Sequence, residues 1–292
     1  MQDFKGKLAV ITGGASGIGR SLAFALGAEG ASVLIADVDQ AALDATLASL
    51  SELGVSASAQ ICDVRKSADL AALASKAFDK LGGAHLVFAN AGVAAGEAGP
   101  MWGYADNDWK WCFDVNLWGV INTINAFMPR LIAADEEASI MITGSGNGAF
   151  LVYPDQPVYS ATKAAVQAVT EALYQQLQVA QSKVKVHALF PGPHIVDTGI
   201  FDSDRVRPSD YTKAADAPDS GIKTADDLRI LMESYGASLE TTHPDEVAQT
   251  ALMGIRDSKF WVMEWNPKTR SEVEKRMQSI LNQTNPVPPS LG

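Results

Sequence analysis

Short, near-continuous apolar runs alternate along the chain with longer stretches in which apolar residues recur at helical spacing. The runs at residues 8–12, 32–37, 58–62, 86–89, 139–143 and 185–190 have strand length and lack the polar alternation of a half-exposed strand. That is the pattern of a parallel sheet covered on both faces. A seventh run follows at 260–265. The intervening stretches predict helices at 18–29, 40–53 and 67–81, each followed at once by a glycine, Gly30, Gly54 or Gly82, the residue that most readily ends a helix in the left-handed conformation. A long helix is expected over 106–134, with Pro129 kinking it or splitting off its last turn, and another over 158–181. The alternation predicts an α/β fold in which one doubly wound parallel sheet of about seven strands carries helices on both faces.

The pattern breaks between Thr198 and His243 into polar, proline-containing sequence with weak helical periodicity at 225–235. Too long for an ordinary connection, the segment 199–242 is expected to form a lid or binding loop. Regularity resumes at His243-Pro244-Asp245-Glu246, where proline suits the first helical position and the two acids suit the positive end of the helix dipole. A last helix is expected at 269–283, and Pro286-Val287-Pro288-Pro289 reads as an extended tail. The organisation expected is one domain over 1–285, lid insertion included, followed by a tail at 286–292.

Composition narrows the possible partners. The chain of 292 residues is 47% hydrophobic, enough for a large core, and its 34 acidic against 23 basic residues give a net charge of −11. Nucleic acid and anionic membrane surfaces are therefore not expected as partners. No apolar run approaches the roughly 18 residues of a membrane span. Cys62 and Cys112 lack C-x-x-C spacing and read as buried thiols of a reducing compartment. Met1-Gln2-Asp3 leads straight into a strand pattern without a charged leader, so a cytoplasmic location is expected. The four histidines show no metal-ligand spacing, and no metal is expected. His85 and His187 flank strands and read as structural, His243 as a helix cap, and His194 as a candidate for the pocket.

The first strand runs directly into Thr12-Gly13-Gly14-Ala15-Ser16-Gly17-Ile18-Gly19 and then into a helix. Glycine at 13, 17 and 19 permits a tight turn, close backbone approach to a pyrophosphate at the helix N-terminus, and close packing of helix on strand. Such a turn without a ligand is common, and the turn alone is weak evidence. The next strand ends at Asp37, 18 residues after Gly19, where a dinucleotide fold places the carboxylate that accepts hydrogen bonds from ribose hydroxyls. Val38, Asp39, Gly14, Ala15 and Ser16 offer no cation to a 2′-phosphate, so NAD is the expected cofactor.

Taken with that turn, four further segments make the sequence resemble the short-chain dehydrogenase/reductase family over roughly residues 5 to 198. They are Cys62-Asp63-Val64, Asn90-Ala91-Gly92, Asp114-Val115-Asn116 and Tyr159-Ser160-Ala161-Thr162-Lys163. The resemblance implies a Rossmann fold and a homodimer or homotetramer. It implies that Ser16, Ile18, Asp63, Val64, Asn90, Gly92, Pro191 and Thr198 line the cofactor site. It also assigns the reacting groups to Tyr159, Lys163, Ser145 and Asn116. Nicotinamide accepts a hydride from an alcohol but not its hydroxyl proton, so the protein must supply a base. Tyrosine, with an ordinary pKa of ~10, needs a nearby cation for that task, and Lys163, four residues on, shares its helix face. Ser145, at the carboxyl edge of the strand 139–143, can bond the substrate oxygen, and Asn116 resembles the family's asparagine that holds a water behind the lysine.

Two local spacings depart from the family. Ser145 precedes Tyr159 by 14 positions, one more than is common, and Pro191-Gly192-Pro193-His194-Ile195-Val196-Asp197-Thr198 is two residues longer than the usual P-G-x-V-x-T. The loops that follow strand ends carry Met101, Trp102, Phe150, Leu151, Tyr153, Ile195, Phe201 and Tyr211, an apolar and aromatic set, whereas Trp109, Trp111 and Trp118 read as core or interface. Trp102, Phe150, Tyr153, His194, Ile195 and Phe201 are the pocket candidates. Arg205 and Arg207 could clamp a carboxylate or stand solvated in the lid. The expected activity is NAD-dependent interconversion of a secondary alcohol and a ketone. The expected substrate is a bulky apolar or aromatic alcohol such as a lignin-derived aryl carbinol, with a hydroxysteroid or other polycyclic alcohol as the alternative. A non-enzymatic dinucleotide sensor or scaffold is the rival from a different class.

Overall fold

Alternate residues of each central strand enter opposite cores, and this divides the molecule into layers. In the computed structural model, which describes residues 1–213 and 219–289, the sheet contains β1 (Leu8–Thr12), β2 (Ser32–Asp37), β3 (Ala57–Ile61), β4 (Leu86–Ala89), β5 (Ala138–Thr143), β6 (Val184–Leu189) and β9 (Trp261–Val262). All seven are parallel, in the order β3-β2-β1-β4-β5-β6-β9. Leu8 and Val10 of β1 face one core with Val87, Ile140, Trp111 and Phe127. Ala9 and Ile11 face the other with Val33, Ile35, Leu22 and Leu252. Helices α3 (Ser67–Ser75), α5 (Gly119–Ala134) and α7 (Pro157–Val179) cover the first face; α1 (Gly17–Ala28), α2 (Gln40–Glu52) and α9 (Pro244–Arg256) cover the second. Hydrophobic burial on two faces explains why these strands read as unbroken apolar runs.

The expected helix over 106–134 forms in three parts: α4 (Asp106–Cys112), a π-helical turn Phe113–Trp118, and α5. Pro129 does not break it; α5 runs through the proline and ends at Asp135, whose φ is +52°. The interruption sits instead at Asn116. Its side chain is committed to the backbone of Val93 and to Thr162, a demand met by one widened turn. A second π-helical turn, Lys76–Lys80, ends the stretch begun by α3. Strands β3, β5 and β6 begin one residue earlier than the apolar runs suggest, and β9 is two residues rather than six.

The segment 199–242, expected as a lid or binding loop, carries more regular structure than its composition implies. It holds 3₁₀ turns at Gly199–Val206 and Ser209–Tyr211, and then α8 (Ala225–Ser234), which Thr224 and Asp227 close in a capping box. β8 (Thr241–Thr242) pairs in parallel with β7 (Ile195–Val196), so the lid returns to where it left the sheet. His243 caps α9, as its sequence suggests. α10 (Pro267–Leu281) follows β9. Residues 286–289 carry no regular element, and 290–292, like 214–218 within the lid, lie outside the described residues. Among the described residues no helix is long and apolar enough to cross a membrane, and no His/Cys/Asp/Glu cluster is suited to a metal.

Candidate active site

The carboxyl ends of β1, β4 and β5 are tied together by side chains. Thr12 Oγ1 donates to the carbonyl of Phe88 (3.2 Å) and accepts from the amides of Asn90 and Ala91. Asn90 Nδ2 donates to the carbonyls of Thr12 and Gly13, and its Oδ1 accepts from Thr143 Oγ1. The glycine turn lies against this clamp so closely that a Cβ at Gly19 would stand 2.1 Å from the Gly13 oxygen, and one at Gly13 2.9 Å from Ala91 Cα. Gly13 also has φ +65°, a conformation other residues rarely adopt. Beyond the turn, Ser16 precedes α1 without a side-chain capping bond. Asp37 Oδ2 accepts from the Ala15 amide (3.2 Å) and Oδ1 from the Val38 and Asp39 amides. Burial raises the Asp37 pKa despite those three bonds. This glycine cradle, with a carboxylate at the end of β2, fits a dinucleotide.

Other sequence-predicted cofactor residues are placed less simply. The Asp63 carboxylate is taken by Arg65, through Nε and Nη2 (2.6 Å for the latter); burial pushes its pKa up, but the guanidinium prevails and holds it below the ordinary value. Val64 packs where a Cβ on Gly119 would otherwise stand, 2.7 Å from its Cγ2. Thr198 rests on the glycine turn, its Cγ2 3.1 Å from a Cβ position at Gly17, and its hydroxyl caps Ile200. Pro191 opens the loop that leads there, and the Gly192–Pro193 peptide is cis.

The residues expected to react converge. α7 brings Tyr159 and Lys163 to the end of β5, where Lys163 Nζ donates to the Thr143 carbonyl at 2.9 Å and lies 5.7 Å from the Tyr159 ring centre. Burial lowers the Lys163 pKa to about 8. Burial also pushes the Tyr159 phenol up to about 12, against the pull of its hydrogen bond with Ser145. Asn116 Oδ1 accepts from Val93 N (2.8 Å), and its Nδ2 donates to Val93 O and to Thr162 Oγ1. Thr162 in turn donates to the Tyr159 carbonyl. A Cβ on Gly92 would lie 3.3 Å from Asn116 Oδ1 and 3.7 Å from Lys163 Nζ, so glycine keeps the space between them open.

Several residues essential to this geometry carry no signal of their own in the sequence. Asn147, in α6 (Gly146–Ala149), donates to Gln156 and accepts from Ser160 Oγ at 2.6 Å, which folds the enlarged 146–158 loop onto the start of α7. Thr143 and Glu97 are likewise ordinary letters until the chain brings them together. Of the two lid arginines, Arg205 turns back on the carbonyls of Gly199 and Asp202. Arg207 is buried, bonded to Asp108 and Asp204 and stacked over Trp111. Arg205 stays exposed to solvent, whereas the Arg207 side chain does not.

The expected pocket residues are not equivalent. Phe150 packs against Phe190, Trp261 and Trp265, with ring centres 4.6, 5.9 and 5.6 Å apart. Trp102 is 89% exposed and Ile195 41%. His194 pairs with Glu240 across β7 and β8. Tyr153 and Phe201 are half-buried in the loops flanking the site.

Residues 7–207 match the model of the short chain dehydrogenase family. A short-chain dehydrogenase/reductase from Burkholderia phymatum, solved in complex with NAD, superposes with a TM-score of 0.87 at 34% identity, covering 99% of both chains. The C alpha-dehydrogenase of a Sphingobium strain is 30% identical over 98% of this chain and 89% of its own. The apo form of LigO from Sphingobium superposes with a TM-score of 0.75 at 28% identity, over 97% of this chain and 90% of that one.

Proposed function

The chain belongs to the short-chain dehydrogenase/reductase family of nicotinamide-dependent oxidoreductases, and from that premise we propose that it interconverts a bulky, apolar or aromatic secondary alcohol and its ketone with NAD. The observation that carries the proposal is the meeting of Tyr159, Lys163 and Ser145 at the end of β5, separated by β4 from the glycine cradle at the end of β1. When bound, the nicotinamide supplies hydride transfer; the protein handles the proton. Ser145 orients the substrate oxygen, and Tyr159 takes its proton during oxidation or returns it during reduction. A phenol at about 12 is a poor donor of its proton to water at neutral pH, so the phenolate needs stabilisation as it forms. The Lys163 ammonium, fixed by Thr143, is the cation nearest to hand, and Asn116 holds Val93 and Thr162 so that both partners keep their places.

Selectivity for NAD follows from Asp37, whose carboxylate is held by the turn itself and would face the additional phosphate of NADP. The preference for an apolar substrate rests on the composition of the loops that follow the strand ends, in which Tyr153 and Phe201 are half-buried and Phe150 belongs to an aromatic cluster. Similarity to a C alpha-dehydrogenase supports aryl carbinols as the first class to assay. The test is NADH formation with a panel of aryl carbinols, steroid alcohols, sugars and short hydroxy acids. Aryl carbinols are expected to give the highest kcat/KM, and Tyr159→Phe should lower kcat by at least ~10² while NAD still binds. A best substrate among sugars or short hydroxy acids would overturn the proposed substrate class.

A further inference from the structure

The helix that carries Tyr159 begins without help from its own sequence. Its N-cap residue, Gln156, makes no capping bond, because its side-chain oxygen is turned to Asn147. Pro157 has no N–H, and the Ser160 amide already bonds the Gln156 carbonyl. The amides of Val158 and Tyr159 therefore need acceptors from elsewhere. Both end on Glu97, one on each carboxylate oxygen and each at 2.8 Å, across 61 and 62 residues of chain.

We propose that Glu97 is a positioning residue for Tyr159: its carboxylate clamps the first turn of α7 at two points, fixing the tyrosine backbone and coupling the loop after β4 to the proton-exchanging group. The inference rests on the reading of Tyr159 as that group. The clamp also places a negative charge beside the positive end of the helix dipole. Glu97 is faced by Asp155 from the chain entering α7, by Asp108 and Cys112 from α4, and by Tyr104 from the segment before α4. Asp108 is itself paired with Arg207. Burial, helped by the two aspartates, raises the Glu97 pKa to about 7 in spite of its two N–H bonds. Burial holds Tyr104 and Cys112 neutral well above that pH. The clamp is thus charged above neutrality and loosens below it. Its charge also raises the Tyr159 pKa.

The test needs no substrate. Amide hydrogen exchange at Val158 and Tyr159, corrected for intrinsic rate, is followed by NMR in the full chain between about pH 6 and 8, alongside titration of ¹³C-labelled tyrosine with Tyr159 assigned through Tyr159→Phe. In the wild type, protection of both amides should rise about tenfold across that range as the carboxylate ionises. In Glu97→Gln protection should be lower and independent of pH, and the Tyr159 phenol should titrate at lower pH. Where the alcohol panel supplies a substrate, Glu97→Gln should lower kcat and remove its acid limb near neutrality with little change in KM for NAD. Protection of both amides at pH 8 equal in Glu97→Gln and wild type would overturn the proposal, and so would a Tyr159 titration unchanged by Glu97→Gln. Failure of the panel with these NMR results intact would count against the substrate assignment alone.

Discussion

Lys163 shows how a buried cation is held at the expense of stability. Its ordinary pKa of 10.5 falls to about 8 because the ammonium is buried. Below about pH 8 the lysine is charged in both the folded and unfolded protein, and the full desolvation cost falls on the folded state. Between about 8 and 10.5 only the unfolded chain keeps the proton, so rising pH relieves part of that cost and stability increases. Lys163→Met should therefore raise Tm of the cofactor-free protein at pH 7, by the equivalent of up to about 3 kcal/mol, and by less at about pH 9.5, while turnover is lost. Thermal melts at the two pH values read both signs. Asp37 is tested through cofactor choice. Facing a 2′-phosphate at roughly 4 Å, it would cost on the order of 4 kcal/mol per unit charge before screening. Asp37→Ala is expected to narrow the kcat/KM ratio of NAD to NADP, and an unchanged ratio would remove Asp37 from that role.

At the scale of elements, the site depends on turns that admit no side chain. The 2.1 Å between a Gly19 Cβ position and the Gly13 oxygen is backbone against backbone, which a rotamer change cannot relieve. Gly19→Ala should push α1 away from the β1 turn and weaken NAD binding by tenfold or more, roughly 1.4 kcal/mol at least; calorimetric titration measures it. Much of this level was legible in the chain. The glycine turn, the end of β2 at Asp37, and the Tyr159–Lys163 spacing are local patterns, set by contacts within a few residues. The interruption of the 106–134 helix was not legible, since Pro129 is the conspicuous helix breaker in the sequence while the cause lies in Asn116 reaching Val93 and Thr162. The cap on α7 was equally hidden, because Glu97 is some sixty residues distant.

Across the whole molecule, the segment 199–213 is fastened by polar contacts to the loop after β4, to α4 and to the π-helical turn that follows α4. The Ala94 amide donates to the buried Ser203 hydroxyl, Asn107 to the Thr212 carbonyl, Tyr211 to Asp114, and Arg207 to Asp108. With the side chains of Arg207 and Asp108 only 5% and 7% exposed, removing the acid leaves a buried guanidinium short of one partner, although Asp204 remains. Asp108→Ala should cost about 3 kcal/mol in urea unfolding and speed proteolytic nicking within 199–213. Unchanged proteolysis, with stability lowered, would show that the pair supports α4 rather than the lid. Sequence composition suggested that the lid arginines were either substrate clamps or solvated charges. Packing gave Arg207 neither role, because two aspartates and the face of Trp111 close around it.

The sequence by itself determined the layered α/β sheet, its strand run, the glycine turn and the Tyr159–Lys163 spacing. Each is written as a periodicity or a short spacing, and burial on two faces or one helical turn is enough to enforce it. Only the tertiary structure decided which side chains are spent on holding the site. Asp63 is engaged by Arg65, Phe150 by an aromatic cluster with Trp261 and Trp265, and His194 by Glu240. The physical reason is that a hydrogen bond or ion pair depends on atoms within a few ångströms, and residues far apart along the chain acquire that proximity only when the sheet and its helices have closed.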